Sequence, residues 1–79
     1  HDELTGLPNR ILFRDRTDRA IEAAERDGIE TGVLLMDVDG FREINDTLGH
    51  QVGDRVIAAV AARLRGVLRS SDTLARLGG

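Results

Sequence analysis

The residues best suited to chemistry lie between Leu34 and Asp54, in the run Leu-Leu-Met-Asp-Val-Asp-Gly-Phe-Arg-Glu-Ile-Asn-Asp-Thr-Leu-Gly-His-Gln-Val-Gly-Asp. Asp37 and Asp39 stand two apart at the end of a short apolar stretch. Carboxylates in such a place are costly unless paired, hydrogen-bonded or bound to metal. Hard oxygen donors suit Mg²⁺, which takes one or two carboxylates and fills its shell with water and substrate phosphates. Gly40 and Phe41 follow where a helix should begin, and free backbone N–H groups with the helix dipole favour phosphate there. Arg42 adds a permanent positive charge beside them. Metal ligand, phosphate cradle and cation thus fall within six residues, 37–42.

Hydropathy patterning predicts the elements that must position these groups. Residues 1–8 read as a loop, with Gly6 and Pro8 as breakers. Asn9 is placed to cap a helix over about 9–27. Its apolar positions Phe13, Ala20, Ile21 and Ala24 share one face. Asp15/Arg19 and Glu22/Arg26 are i,i+4 pairs on a solvated face. Gly28 suits the helix end. Thr31–Asp39 reads as a buried strand, being short, apolar and β-branched. Phe41, Ile44 and Leu48 predict a short helix closed by Gly49, with Val52–Gly53 as a joint. Asp54 to Arg69 predicts a long helix with the stripe Val56, Ile57, Val60, Ala61, Leu64, Val67 and Leu68. Ser70 to Asp72 is a turn, and Thr73 to Leu77 a second strand. The order helix, strand, helix, helix, strand implies an α/β fold with helices packed on a sheet.

Composition narrows the function. Seventy-nine residues make one small domain, 1–79, with a thin core and marginal stability. No Cys is present, which excludes disulfides and thiolate metal sites. The net charge of −3 and the lack of Trp and Tyr argue against nucleic acid as a partner. No apolar run approaches the ~20 residues that span a bilayer, so direct membrane contact is not expected. The chain begins at His1 and its sole Met is Met36, so it is expected to be an excerpt of a longer protein.

The same residues also admit plainer roles. Asp37 and Asp39 can cap the following helix, Asn45 and Asp46 can be turn residues, His50 can be a surface histidine, and Asp54 can be an N-cap. Two other motifs fit less well. An EF-hand loop beginning at Asp37 would need an acid at Phe41, Gly at Arg42 and Glu at Leu48. Asp-Val-Asp-Gly after a strand is similar to the nucleophile motif of haloacid-dehalogenase-type phosphatases, with Asp37 attacking phosphorus and Asp39 as acid. Phe41 stands where that family usually has Thr or Val.

Three motifs in order resemble the first half of a GGDEF domain, the diguanylate cyclase family. They are Asp2-x-Leu4-Thr5-Gly6-Leu7-Pro8-Asn9-Arg10, Asp37-x-Asp39-x-Phe41-Arg42-x-Ile44-Asn45-Asp46-x-x-Gly49-His50-x-x-Gly53-Asp54, and Arg76-x-Gly78-Gly79. The resemblance implies a nucleotidyl-cyclase-like palm with an incomplete sheet. It implies that Asp37 and the Val38 carbonyl hold Mg²⁺, and that Gly40 and Phe41 hold GTP phosphates. Arg42 replaces the family's common Lys and would stabilise charge on the reacting phosphate. Asn45 and Asp54 would bond the guanine edge, with His50 nearby and Leu4 and Ile57 as an apolar wall. Gly78 and Gly79 would belong to the substrate loop, and Asp2 would pair with Arg76. Arg69 and Asp72 match an Arg-x-x-Asp site for inhibitory product; the plainer reading is a helix-end Arg and a turn Asp.

The implied reaction joins two GTP into cyclic di-GMP and expels pyrophosphate, in a cytoplasmic domain whose parent protein can be membrane-tethered and whose complete copies meet as a homodimer. The family's remaining metal carboxylate and base would lie beyond Gly79, so the 79 residues alone are expected to be inactive. A degenerate domain that only binds GTP or cyclic di-GMP is the alternative.

Overall fold

The computed structural model describes residues 1–78. Asn9 caps the first helix, α1 (Arg10–Asp27), its Oδ1 accepting from the Leu12 N–H at 3.0 Å. Gly28 ends it in the left-handed conformation and donates to the Ala24 carbonyl. Both boundaries match the capping chemistry in the sequence. The short helix α2 (Phe41–Leu48) is followed after Gly49 by α3 (His50–Val67). Gly49 has φ 92°, a conformation that favours glycine, and this turns the chain so that α2 and α3 pack together.

Two expectations about helices are corrected. α3 begins at His50, not Asp54, and runs straight through the anticipated joint at Val52–Gly53. Arg19 pairs with Asp15 at 3.4 Å as expected, but Arg26 turns to Asp27 at 3.7 Å rather than to Glu22. Exposed ion pairs are worth so little that adjacent acids compete freely.

The α/β fold class is also corrected. Three helices form and, among the described residues, no strand does. Thr31–Asp39 and Thr73–Leu77 have strand-like composition but no ladder partner. A strand, unlike a helix, takes its hydrogen bonds from another segment. The first segment therefore leaves Val33 64%, Leu34 84% and Leu35 85% exposed.

What unites the ends is polar. Asp2 accepts from the Thr5 hydroxyl at 2.7 Å and the Thr5 N–H at 2.9 Å, and from the Arg76 guanidinium at 3.4 Å. The Arg76 N–H donates to the Pro8 carbonyl at 3.0 Å. Arg10 reaches the Leu77 carbonyl, and Arg65 of α3 reaches the Thr5 carbonyl. The expected Asp2–Arg76 pair is thus present, tying the opening loop to an irregular segment rather than to a strand. Buried apolar residues are few: Leu7, Ala24 and Ala61, with Pro8 beside Leu7. The radius of gyration is 14.7 Å, against about 12 Å for a compact domain of this length. No helix among the described residues is long and apolar enough to cross a membrane.

The Thr5 hydroxyl, then the Thr5 N–H and Arg76, hold the Asp2 carboxyl below its ordinary pKa. A carboxylate whose pKa is lower when folded stabilises above its unfolded pKa and loses that effect as pH falls through the folded value. Asp2→Asn should therefore cost about 1–2 kcal/mol at pH 7. The gap from wild type should begin to narrow in denaturation curves as pH falls below about 3.9, and should close only below the lowered folded value. An unchanged gap at pH 3 would show that the ionised carboxylate is not the source.

Candidate nucleotide site

The loop after Met36 and the start of α2 build the first wall of a cavity. Gly40, φ 73°, bends the chain into α2, which begins without a side-chain cap. The Asp37 carboxylate does not serve as that cap. Its Oδ1 accepts from the Val38 N–H at 2.9 Å, and both Asp37 and Asp39 are exposed. The Phe41 N–H donates to the Val38 carbonyl at 3.2 Å. That carbonyl keeps a second lone pair, whereas the Phe41 N–H is already engaged. The helix N-terminus and Arg42 supply the positive charge at this end.

α3 supplies the second wall. The cavity has a volume of about 500 Å³ and is lined by Asp37, Val38, Asp39, Gly40, Phe41, Arg42, Asn45, Asp46 and His50. That volume lies within the usual range for small-molecule sites. Asn45 is half-buried, and its Oδ1 is buried with no hydrogen-bond partner. It lies against Gly53 of α3, whose missing Cβ would occupy the same space. Asp54 is exposed in the second turn of α3, four residues after His50 and so on the same helix face. It is neither an N-cap nor a lining residue.

Seven of the anticipated site residues therefore converge on one cavity: Asp37, Val38, Gly40, Phe41, Arg42, Asn45 and His50. Asp54, Gly78, Leu4 and Ile57 do not line it. Gly79 lies outside the described residues. Asp46, read from sequence as a turn residue, does line it. Its position four residues after Arg42 on α2 was the available signal, since i and i+4 share a face.

The donors present fit Mg²⁺. Asp37 and Asp39 are exposed carboxylates at the cavity, and Val38 offers its carbonyl. Among the described residues no cluster of three or more acidic or histidine side chains forms a complete cage. Mg²⁺ needs none, because it shares its shell with water and phosphate oxygens.

Arg69 and Asp72 lie elsewhere, after α3. Asp72 accepts from the Arg69 N–H at 3.0 Å and its own N–H donates to the Arg69 carbonyl, which closes the expected turn. Both border a second cavity of about 290 Å³, together with Arg16, Arg65, Leu7 and Pro8.

The whole chain, residues 1–79, matches the family model described as diguanylate cyclase, GGDEF domain. The chain belongs to that family. It is 52% identical over 79 residues to the bifunctional diguanylate cyclase/cyclic di-GMP phosphodiesterase MucR of Pseudomonas aeruginosa, covering 100% of this chain and 12% of MucR. It is likewise 52% identical to the diguanylate cyclase TpbB of that organism, covering 100% of this chain and 18% of TpbB. A solved structure of TpbB reduced to its GGDEF domain superposes with a TM-score of 0.86 at 45% identity, covering 100% of this chain and 46% of that one. The chain thus spans under a fifth of these curated relatives and under half of that isolated domain.

Proposed function

We propose that these 79 residues carry the GTP-binding part of a diguanylate cyclase domain. The carrying observation is the convergence of Asp37, Val38, Gly40, Phe41, Arg42, Asn45 and His50 on one cavity of nucleotide size. Asp37 and the Val38 carbonyl would hold Mg²⁺, which when bound neutralises phosphate charge and activates the attacking hydroxyl. Arg42 and the start of α2 face the phosphates, and Arg42 offsets charge growing on the phosphorus being attacked. Asn45 and Asp54 read the guanine edge, with His50 between them along the chain. Each 3′-hydroxyl attacks the other nucleotide's α-phosphate. Two phosphodiester bonds form, two pyrophosphates leave and two protons are released. Because each domain holds one GTP, two complete domains must meet as a homodimer. GTP as substrate places the reaction in the cytoplasm. Arg69 and Asp72 are assigned to product, the guanidinium suiting a phosphate and the carboxylate a guanine edge.

The full-length protein, given GTP and Mg²⁺, should release cyclic di-GMP and two pyrophosphates per product. The 79-residue chain alone should release none, since it covers 46% of a GGDEF-only relative. Mg²⁺-dependent turnover by the short chain would overturn that division. A full-length protein that binds cyclic di-GMP but never makes it would favour the degenerate, receptor reading.

A further inference from the structure

We propose that Arg16 of α1 and Arg65 of α3 are anion-binding residues of the second cavity, and that together they hold a second phosphate group of the product beside the one that Arg69 takes. The inference rests on the assignment of Arg69 and Asp72 to product, and adds to it two residues from outside that motif.

Three guanidiniums from separate places in the chain border this cavity of about 290 Å³. Arg16 stands on α1, Arg65 in the last turn of α3, and Arg69 just beyond it. One carboxylate, Asp72, borders the same space, and it accepts from the main-chain N–H of Arg69 rather than from a guanidinium. Among the described residues none of these three arginines is ion-paired, whereas Arg19, Arg26 and Arg76 each find an acid. Like charges gathered without a counter-ion repel one another. In a chain of net charge −3 the cavity is therefore a local reversal of sign, and a bound anion relieves the repulsion.

Two features ready the cavity for a ligand. Its apolar side is fixed. Leu7 is buried, its N–H donates to the Thr5 hydroxyl at 3.2 Å, and its carbonyl accepts from the Asp2 N–H at 2.7 Å. The neighbouring Pro8 carbonyl is taken by the Arg76 N–H. Arg65 is anchored as well. It donates one N–H to the Thr5 carbonyl at 3.3 Å and keeps four others. A lone exposed arginine is a solvated cation. Three around one apolar floor, with one held in place, suit a two-point grip on phosphate oxygens. Cyclic di-GMP carries two phosphodiester groups, each with one negative charge over two unbridged oxygens. Arg69 and Asp72 account for one phosphate and one guanine edge. The second phosphate is left for Arg16 and Arg65.

The test is equilibrium binding of cyclic di-GMP by the full-length protein, stripped of bound nucleotide, with the loss in Arg69→Ala defining the site. Arg16→Ala and Arg65→Ala should each weaken binding there roughly tenfold, the scale of one charge-assisted hydrogen bond. Arg65→Gln keeps a donor for the Thr5 carbonyl and drops the charge, so it should show the same loss. Affinity should fall less steeply with added salt in all three variants, because an ionic contact is gone. Binding of 3′-deoxy-GTP, which lacks the attacking hydroxyl and cannot react, should stay within about twofold, since neither arginine lines the nucleotide cavity. If Arg69→Ala leaves product binding unchanged, the assignment of Arg69 and Asp72 fails, and this inference with it. If Arg69→Ala weakens binding while Arg16→Ala and Arg65→Ala do not, only this inference fails. A loss confined to one of the two arginines breaks the pair and overturns it. Full binding by Arg65→Gln does so too, since Arg65 would then act by supporting the opening loop through Thr5. Equal losses for cyclic di-GMP and 3′-deoxy-GTP would mark a general disturbance of the fold and count against it.

Discussion

Asp37→Ala in the full-length protein is expected to reduce cyclic di-GMP formation roughly 10³-fold, the several kcal/mol of charge stabilisation that a correctly held metal supplies. Three features set the size of this effect. Asp37 is exposed at the cavity rather than committed to a partner across the fold. Its one recorded hydrogen bond is to the adjacent Val38 N–H, so removing the side chain costs little structure. Nothing in the described chain replaces it cleanly, since Asp39 alone would then face the cation beside the Val38 carbonyl. Stability should stay within about 0.5 kcal/mol of wild type, as for other surface substitutions. Asp37→Asn keeps the shape and removes the charge, so it should be nearly as inactive. Turnover within threefold of wild type in either variant would remove Asp37 from the metal site.

The legibility of this site followed from its locality. Residues 37–50 supply the whole cavity wall, and over so short a span the spacing alone determines which groups share a helix face. The caps of α1 were readable for the same reason, because Asn9 and Gly28 satisfy their own neighbours. The strands were not. Val33 to Met36 have strand composition, but a ladder depends on residues remote in sequence, and none of the described ones pairs with them. Gly53 misled in an instructive way. A glycine reads as a break, yet α3 passes through it, and the Asn45 side chain fills the space a Cβ would take. That contact joins two helices across the Gly49 turn, and helical periodicity within either one carries no trace of it.

Asp54→Ala should separate the two ends of the nucleotide. Asp54 stands one turn beyond His50 on the same face of α3 and is not part of the cavity wall that Gly40 and Arg42 line. It is exposed and caps nothing, so its loss leaves the helix intact. A carboxylate accepting two N–H groups from guanine makes charge-assisted bonds, together worth about 3 kcal/mol, or roughly 10²-fold in affinity. Adenine places an acceptor at N1, where guanine places a donor, so Asp54 repels it more than it holds it. The variant should thus weaken 3′-deoxy-GTP roughly 10²-fold and change 3′-deoxy-ATP by less than about threefold, or even improve it. Binding of the two nucleotides would then converge, because what they still share is the triphosphate. Equal losses for both would assign Asp54 to the phosphate or metal end and remove the base from this face of α3.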